Sequence, residues 1–165
     1  MASLNSLNVV LLQPEIPQNT GNIARTCAAV GAKLLLIKPL GFFIRDRHLK
    51  RAGLEYWDRA EVKYFKDFAE LVSAFPRGNF AFLTKKASRP YTDIDFSGDL
   101  FLVFGKESTG LPEELLDEHR DRSFRIPTRS EVRSLNLASS VAVVVYEALR
   151  RNAFPGLEPD GSENT

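Results

Sequence analysis

The sequence predicts a single α/β domain, residues 1–156, with a mainly parallel sheet flanked by helices. Short, uninterrupted apolar runs recur along the chain, as in strands that are covered on both faces of a sheet. Segments with helical periodicity separate these runs, which is the order of parallel strand–helix–strand crossovers. A chain of 165 residues with 44% apolar content is also large enough to enclose one full core.

The first crossover unit is predicted at the beginning of the chain. The apolar run 7–12 is interpreted as a buried strand, since a proline-containing loop follows it. Asn19 or Thr20 is expected to cap a helix that ends at Gly31, because both are good N-cap residues and glycine commonly terminates helices. The apolar run 34–37 then forms the second strand.

The middle of the chain is expected to add alternating helices and strands. Asp67 is predicted to cap a helix that carries Phe68, Leu71, Val72 and Phe75 inward. The other elements, in chain order, are a helix at 45–52, strands at 80–83 and 100–104 joined by a polar loop at 84–98, a short helix beginning at Pro112 and a strand at 123–126.

The last predicted element is a helix over 137–151 with two neighbouring apolar stripes. One stripe contains Leu137, Val141, Val144 and Ala148, and the other contains Ala138, Ala142, Val145 and Leu149. A helix with so much apolar surface requires burial on most sides, which favours a subunit interface along it. A central core helix in a monomer is the alternative. Residues 157–165 are expected to form a disordered tail, given their proline, glycine and acidic content.

Composition limits the classes of function. Lys and Arg total 22 against 21 Asp and Glu, so the net charge of +1 offers no global attraction for a polyanion, and any nucleic-acid contact must rest on local patches. Cys27 is the only cysteine, and no Cys/His spacing suits a metal site, so we expect no metal and a reducing, cytoplasmic location. The N-terminal apolar run is too short for a signal peptide or a membrane span, and no membrane association is expected.

Three polar segments carry the candidate functional residues. The first follows the strand at 7–12, at the kind of strand end where open α/β sheets bind ligands. Its Asn19, Asn22 and Arg25 are three residues apart, which would place them on one helix face with Arg25 as a fixed cation suited to phosphate. The structural alternative is that Asn19 is only a cap and Arg25 only a solvated side chain.

The second segment contains Gly105 and Gly110 at the spacing of a phosphate-binding P-loop. Leu111 stands where a P-loop has its lysine, which argues against a nucleoside triphosphate site. No GxGxxG motif follows a predicted strand, so a dinucleotide dehydrogenase also lacks support. A glycine after a strand still lets the backbone approach a flat ligand, with the Glu107 carboxylate nearby. An ordinary strand-to-helix turn is the alternative.

The third segment, 126–140, is dense in polar side chains beside a strongly apolar helix. It contains Arg129 and Arg133, several hydroxyls and an amide. Ser134 or Asn136 can cap the final helix, which is the structural alternative. The polar density is nevertheless typical of the edge of a binding site.

Together, these segments resemble the motifs of the SPOUT methyltransferases, in their SpoU-like branch. The matching stretches are PEIPQNTGNIAR, KRAGLEYW, LVFGKESTGLP, and RIP followed by RSLNLASSVAVVVYEALR. The resemblance as a whole spans residues 7–156, and three such motifs in this order and spacing are highly specific. Within the branch, the chain is most similar to small enzymes that methylate the ribose of the wobble cytidine or uridine of tRNA.

The resemblance implies a SPOUT fold with a deep trefoil knot, in which the C-terminal part of the chain threads through a loop. S-adenosylmethionine would lie in the knot and be bound largely by backbone groups. The implied cofactor-binding residues are Leu83, Thr84, Gly105, Ile126, Ser134 and Leu135, with Glu107 and Leu111 as further contacts.

By the same resemblance, the candidate catalytic residues around the reacting ribose are Asn19, Arg25, Glu107, Ser134 and Asn136. Arg25 is the first candidate. An arginine is effectively always protonated and is therefore a poor general base. We expect Arg25 to bind phosphate and to stabilise negative charge on the 2′ oxygen, with Ser134 as a relay.

The resemblance also implies tRNA as the partner and a homodimer in which Arg25 of one subunit faces the cofactor pocket of the other. The candidate RNA-binding residues are Arg45, Arg47, His48, Lys50, Arg51, Arg129 and Arg133, and Tyr146 is a candidate for a substrate or interface contact. A solvated helix surface is the alternative for the basic cluster at 45–51.

Three other functions stay open on the sequence alone. One is 2′-O-methylation at another tRNA site or in rRNA. The second is a catalytically silent RNA-binding factor, against which the intact Asn19, Arg25, Glu107 and Ser134 argue. The third is an enzyme acting on small nucleotides, which lacks phosphate-loop motifs to support it.

Overall fold

A computed structural model of the chain describes residues 3–44 and 56–158. Its centre is a 7-stranded sheet in the order β3-β2-β1-β6-β4-β7-β5, in which all neighbouring strands are parallel. The strands are β1 (Leu4–Leu12), β2 (Lys33–Ile37), β3 (Glu61–Phe65), β4 (Asn79–Leu83), β5 (Arg89–Pro90), β6 (Gly98–Phe104) and β7 (Ser123–Arg125). The prediction of an α/β fold with a mainly parallel sheet is confirmed.

Helices cover both faces of this sheet. Those in the described residues are α1 (Pro17–Val30), α2 (Phe68–Ala74), α3 (Glu113–Glu118) and α4 (Leu137–Arg151). On one face, Val9 and Leu11 share a core with Val144 of α4. On the other face, the intervening Val10 shares a core with Leu71 of α2. Burial on both faces explains why the central strands are uninterrupted apolar runs.

Most predicted elements are present with small shifts of their ends. The predicted strands at 7–12, 34–37, 80–83, 100–104 and 123–126 coincide with β1, β2, β4, β6 and β7. Asp67 caps α2 as predicted, and its side chain accepts the N–H of Glu70 at 2.8 Å. The helix predicted at 137–151 is observed with those ends as α4.

The start of α1 differs from the prediction. Ile16 is the N-cap residue and Pro17 the first helical residue, so Asn19 and Thr20 lie buried inside the first turn and cap nothing. Proline favours this position because its fixed φ suits a helix and it has no N–H that needs a partner. The helix ends at Gly31, as predicted, with a left-handed φ of 72°.

Three further differences concern less regular segments. The edge strand β3 is absent from the prediction because its sequence, EVKYF, is not an apolar run. Val72 is 39% exposed, contrary to the prediction, since α2 turns Leu71 toward the core. The predicted polar loop after β4 contains β5 and a 3₁₀ turn at Tyr91–Asp93. The helix predicted at 45–52 lies outside the described residues.

The chain turns back onto the core after α4. Ala153 and Phe154 have positive φ, and the Phe154 N–H donates to the carbonyl of Leu149 at 2.8 Å. Leu157, at the start of the predicted tail, is partly buried and packs against the core. No helix within residues 3–44 and 56–158 is long and apolar enough to cross a membrane.

The sheet brings the polar segments together at one edge. The carboxyl ends of β1, β6, β4 and β7 lie side by side, with Leu11 paired to Phe104, Phe104 to Leu83, and Leu83 to Phe124. Parallel strands send their following segments out from the same edge. The three predicted motifs follow β1, β6 and β7, and they therefore meet there.

Candidate active site

The segments that follow these four strands enclose one cavity of about 530 Å³. This volume is within the usual range for small-molecule sites. The sequence-predicted residues that line it are Asn19, Leu83, Thr84, Gly105, Glu107, Leu111, Ile126, Arg133, Ser134, Leu135 and Asn136. The structure thus brings together all six residues predicted to bind the cofactor and four of the five predicted to be catalytic.

One wall of the cavity is a tight loop after β6. A Cβ added to Gly105 would lie 2.0 Å from the carbonyl carbon of Gly110 and 2.2 Å from the nitrogen of Leu111, so only hydrogen fits. The loop closes through Gly110, whose φ is 72° and whose N–H donates to the carbonyl of Lys106 at 2.9 Å. The missing side chain of Gly105 therefore lets the loop fold back onto its own backbone, which sets the shape of this wall.

The Glu107 carboxylate joins this loop to the one after β1. Its Oε2 accepts the N–H of Glu15 at 2.8 Å. Its Oε1 accepts the N–H of Ile16 at 3.1 Å and the Nδ2 of Asn19 at 3.2 Å. Because three donors occupy the carboxylate, its orientation is fixed and little capacity is left for a fourth partner.

Glu15 makes the reciprocal contact from the loop after β1. Its carboxylate accepts the N–H and the hydroxyl of Ser108, each at 2.9 Å. These hydrogen bonds, the backbone one first, hold the pKa of Glu15 below its usual range. Each of the two loops therefore supplies a carboxylate that accepts hydrogen bonds from the other loop. We refer to Glu15, Glu107, Ser108 and Asn19 as the carboxylate clasp.

Asn136 connects the carboxylate clasp to the third motif. Its Nδ2 donates to Oδ1 of Asn19 at 3.0 Å, while its own Oδ1 accepts the N–H groups of Ala138 and Ser139 at 2.9 and 3.4 Å. Asn136 is thus the N-cap of α4, one of the two residues that the sequence offered for this role. Hydrogen bonds now link all three motifs at the cavity.

Arg25 is the one predicted catalytic residue that does not line this cavity. Its side chain is exposed on α1, and its guanidinium carbon lies 4.9 Å from the centre of the Tyr56 ring. This distance is within the range of a cation–π contact. In a single subunit, Arg25 is therefore held beside an aromatic ring and away from the cavity.

The predicted RNA-binding residues are placed differently from one another. Arg133 lines the cavity, whereas Arg129 is exposed but outside the lining. Tyr146 is 48% exposed on α4 and borders a second surface pocket, together with Ala29. The residues Arg45, Arg47, His48, Lys50 and Arg51 lie outside the described part of the chain.

Sequence reasoning missed several residues at this edge of the sheet. Lys85 and Lys86 line the cavity mouth, and Lys86 forms a salt bridge with Glu113. Glu15 belongs to the first motif, but the sequence alone assigns it no role. The position of β4 beside β6 is the reason that these lysines reach the site, and strand order of this kind is not visible in a local pattern.

The chemistry of the lining can be stated from its side chains. Apolar residues such as Leu83, Phe104 and Ile126 alternate with backbone groups, hydroxyls and amides, which suits a flat ligand with polar ends.

Burial raises the pKa of the Cys27 thiol to about 12, so it is not a reactive nucleophile. No cluster of three or more His, Cys, Asp or Glu that could hold a metal occurs among residues 3–44 and 56–158.

Named relatives resemble this chain over nearly its full length. A Geobacillus stearothermophilus protein provisionally named a tRNA (cytidine(34)-2′-O)-methyltransferase is 50% identical, over 92% of this chain and 99% of the relative. A tRNA (cytidine(34)-2′-O)-methyltransferase of Burkholderia cenocepacia is 47% identical, over 90% of this chain and 97% of the relative.

Solved structures share the fold as well. One, described as giving insight into 2-OH methylation of C/U34 on tRNA, has a TM-score of 0.84 and 44% identity, covering 90% of this chain and 97% of that one. An AdoMet-bound rRNA methyltransferase from Sinorhizobium meliloti has a TM-score of 0.80 and 25% identity, covering 91% of this chain and 58% of that one.

The sequence profile of the SpoU rRNA Methylase family matches residues 6–146. These residues include β1, the cavity and most of α4. The match therefore covers the three motifs that the structure joins. The chain belongs to the SpoU rRNA Methylase family.

Proposed function

We propose that this chain transfers the methyl group of S-adenosylmethionine to the ribose 2′ oxygen of cytidine or uridine 34 in tRNA. The observation that carries the proposal is the hydrogen-bonded junction of Glu107, Asn19 and Asn136, which unites the three family motifs at one cavity. Relatives of almost the same length, named for this reaction, support the choice of substrate.

The cavity fits S-adenosylmethionine by its shape and lining. The loop after β6 lines the cavity from Gly105 to Leu111 and offers polar backbone groups there, and the apolar wall suits an adenine ring. We assign binding of the cofactor to Leu83, Thr84, Gly105, Ile126, Ser134 and Leu135. When bound, the cofactor supplies an electrophilic methyl group on a sulfonium.

The residues of the chain then have separate tasks in our proposal. Glu107, Asn19 and Asn136 position the loops, since their polar groups are occupied by one another. Ser134 is exposed at the cavity wall, where its hydroxyl is free to contact the 2′ hydroxyl as a relay. Arg25 binds RNA phosphate and stabilises the charge that develops on the 2′ oxygen, while the hydroxyl proton passes through the Ser134 hydroxyl to water and S-adenosylhomocysteine is the other product.

A homodimer through α4 is part of the same proposal. Val143 is 38% exposed on this helix although it is apolar, and Tyr146 is 48% exposed beside it. Arg25 lies outside the cavity of its own subunit, which fits a role at the cavity of a partner. We also infer a trefoil knot, which is supported by membership of the SpoU rRNA Methylase family.

A methyl-transfer assay tests the function directly. The protein is incubated with labelled S-adenosylmethionine and tRNA, and the methylated position is mapped by nuclease digestion and mass spectrometry. We expect label on the 2′ oxygen of nucleotide 34, and none with the same tRNA carrying a 2′-deoxynucleotide there. Label on a base, at another tRNA site or in rRNA would reject the proposal. Absence of both transfer and cofactor binding would favour the silent RNA-binding alternative.

A further inference from the structure

The contact between Arg25 and Tyr56 joins α1 to the segment that precedes β3. The guanidinium carbon lies 4.9 Å from the ring centre, and Arg25 is otherwise exposed to solvent. An exposed arginine samples many rotamers and loses that freedom when it binds a ligand. A platform that already restricts the side chain reduces this loss.

The backbone of Tyr56 is anchored in the fold. Its carbonyl accepts the N–H groups of Arg59 at 3.1 Å and Ala60 at 2.9 Å, and Ala60 is buried. The next residue, Trp57, packs against the core that α1 and α4 share. The backbone of Tyr56 is therefore held in place, with its ring beside the guanidinium of Arg25.

A cation–π contact leaves an arginine able to bind a ligand. When a guanidinium lies with its flat face on a ring, its N–H donors point outward in the plane. Within residues 3–44 and 56–158, no carboxylate forms a salt bridge with Arg25. The contact thus orients the cation without occupying the donors that a phosphate or an oxyanion needs.

We propose that Tyr56 is a positioning residue for methyl transfer, which fixes the guanidinium of Arg25 by its face and presents the N–H edge to the RNA. The inference rests on the proposed role of Arg25. Tyr56 is not among the described residues that line the cavity, so its effect is expected on turnover and not on cofactor affinity.

Two variants separate the aromatic face from simple packing. Tyr56→Phe keeps the ring, and Tyr56→Leu keeps an apolar side chain without a π face. We expect Tyr56→Leu to lower kcat by about threefold to tenfold with an unchanged Kd for S-adenosylhomocysteine, while Tyr56→Phe stays close to the unaltered protein. In an Arg25→Ala background, Tyr56→Leu should cause no further loss, because its partner is already absent.

An NMR measurement tests the contact without reference to activity. Ring currents should shift the side-chain Nε–H resonance of Arg25, and this shift should persist in Tyr56→Phe and disappear in Tyr56→Leu. The inference is overturned if Tyr56→Leu leaves the resonance and kcat unchanged, if both variants lose activity equally, or if cofactor affinity falls. Full activity of Arg25→Ala would overturn it together with the assigned role of Arg25, while transfer to nucleotide 34 would still stand.

Discussion

At Gly105, the loop after β6 folds back so closely that an added Cβ would meet the backbone of Gly110 at 2.0 Å. Gly105→Ala must therefore shift the cavity wall. We expect the affinity for S-adenosylhomocysteine to fall at least about tenfold, equivalent to about 1.4 kcal/mol, as measured by calorimetry.

Gly98→Ala is the matched control. Gly98 has a φ of 67°, and nothing lies close to where a Cβ would be placed. Gly98→Ala should therefore lower stability only through the strain of a left-handed backbone, roughly 1–2 kcal/mol. If Gly98→Ala loses as much cofactor affinity as Gly105→Ala, general destabilisation explains both, and the shape of the loop does not matter.

The Glu15 carboxylate gives the carboxylate clasp a pH dependence. The Ser108 hydrogen bonds lower its pKa, so the stability that it contributes is complete above the ordinary value of 4.5 and is lost as pH falls through the lowered value. The difference in Tm between the unaltered protein and Glu15→Gln should be largest near neutrality and shrink in acid. A difference that stays constant with pH would contradict this origin.

At the scale of elements, Asn136 has two separable tasks, capping α4 and donating to Asn19. Asn136→Asp keeps a capping oxygen and adds charge favourable to a helix N-terminus, but it cannot donate to the Asn19 oxygen. We expect cofactor affinity to fall about tenfold, because the buried Asn19 oxygen loses its donor. Tm should fall less than in a variant that also loses the cap, because the carboxylate still caps α4.

Asn136→Ala supplies the comparison, because it removes the cap as well and should cost about 1 kcal/mol of stability. Thermal unfolding and cofactor titration of both variants distinguish the tasks. Cofactor binding by Asn136→Asp at the original affinity would show that the bridge to Asn19 does not shape the cavity.

The elements themselves were largely predictable because of where they are buried. β1, β4 and β6 are covered on both faces and appear in the sequence as apolar runs, whereas β3 lies at the edge and mixes charged with apolar residues. The start of α1 was misplaced because Asn19 resembles a cap, while its side chain is used by the carboxylate clasp.

The contacts of the candidate site were less predictable than its members. Asn19, Glu107 and Asn136 came from a family resemblance, but the clasp depends on β1 lying next to β6. Glu15 and Ser108 are 93 residues apart in the chain, and no local pattern reveals such a pairing. Strand order is a property of the folded sheet. The sequence alone therefore does not predict that Lys85 and Lys86, which follow β4, lie at the cavity.

At the scale of the whole molecule, the exposed apolar side of α4 predicts association. Val143→Glu should yield a monomer in sedimentation and lose methyl transfer, since Arg25 would no longer reach a partner cavity. Val72→Glu is the matched control, because Val72 is 39% exposed and Val143 38%, on different helices. Dimers of Val143→Glu with full activity would contradict the proposed interface.

We propose that three loops, distant in sequence, enclose the cofactor site. The sharpest test is a crystal structure of the protein with S-adenosylhomocysteine. We expect electron density for the ligand between Gly105, Ile126 and Ser134, with the backbone of the loop after β6 in contact. Density for the ligand elsewhere on the protein, with this cavity left to solvent, would contradict it.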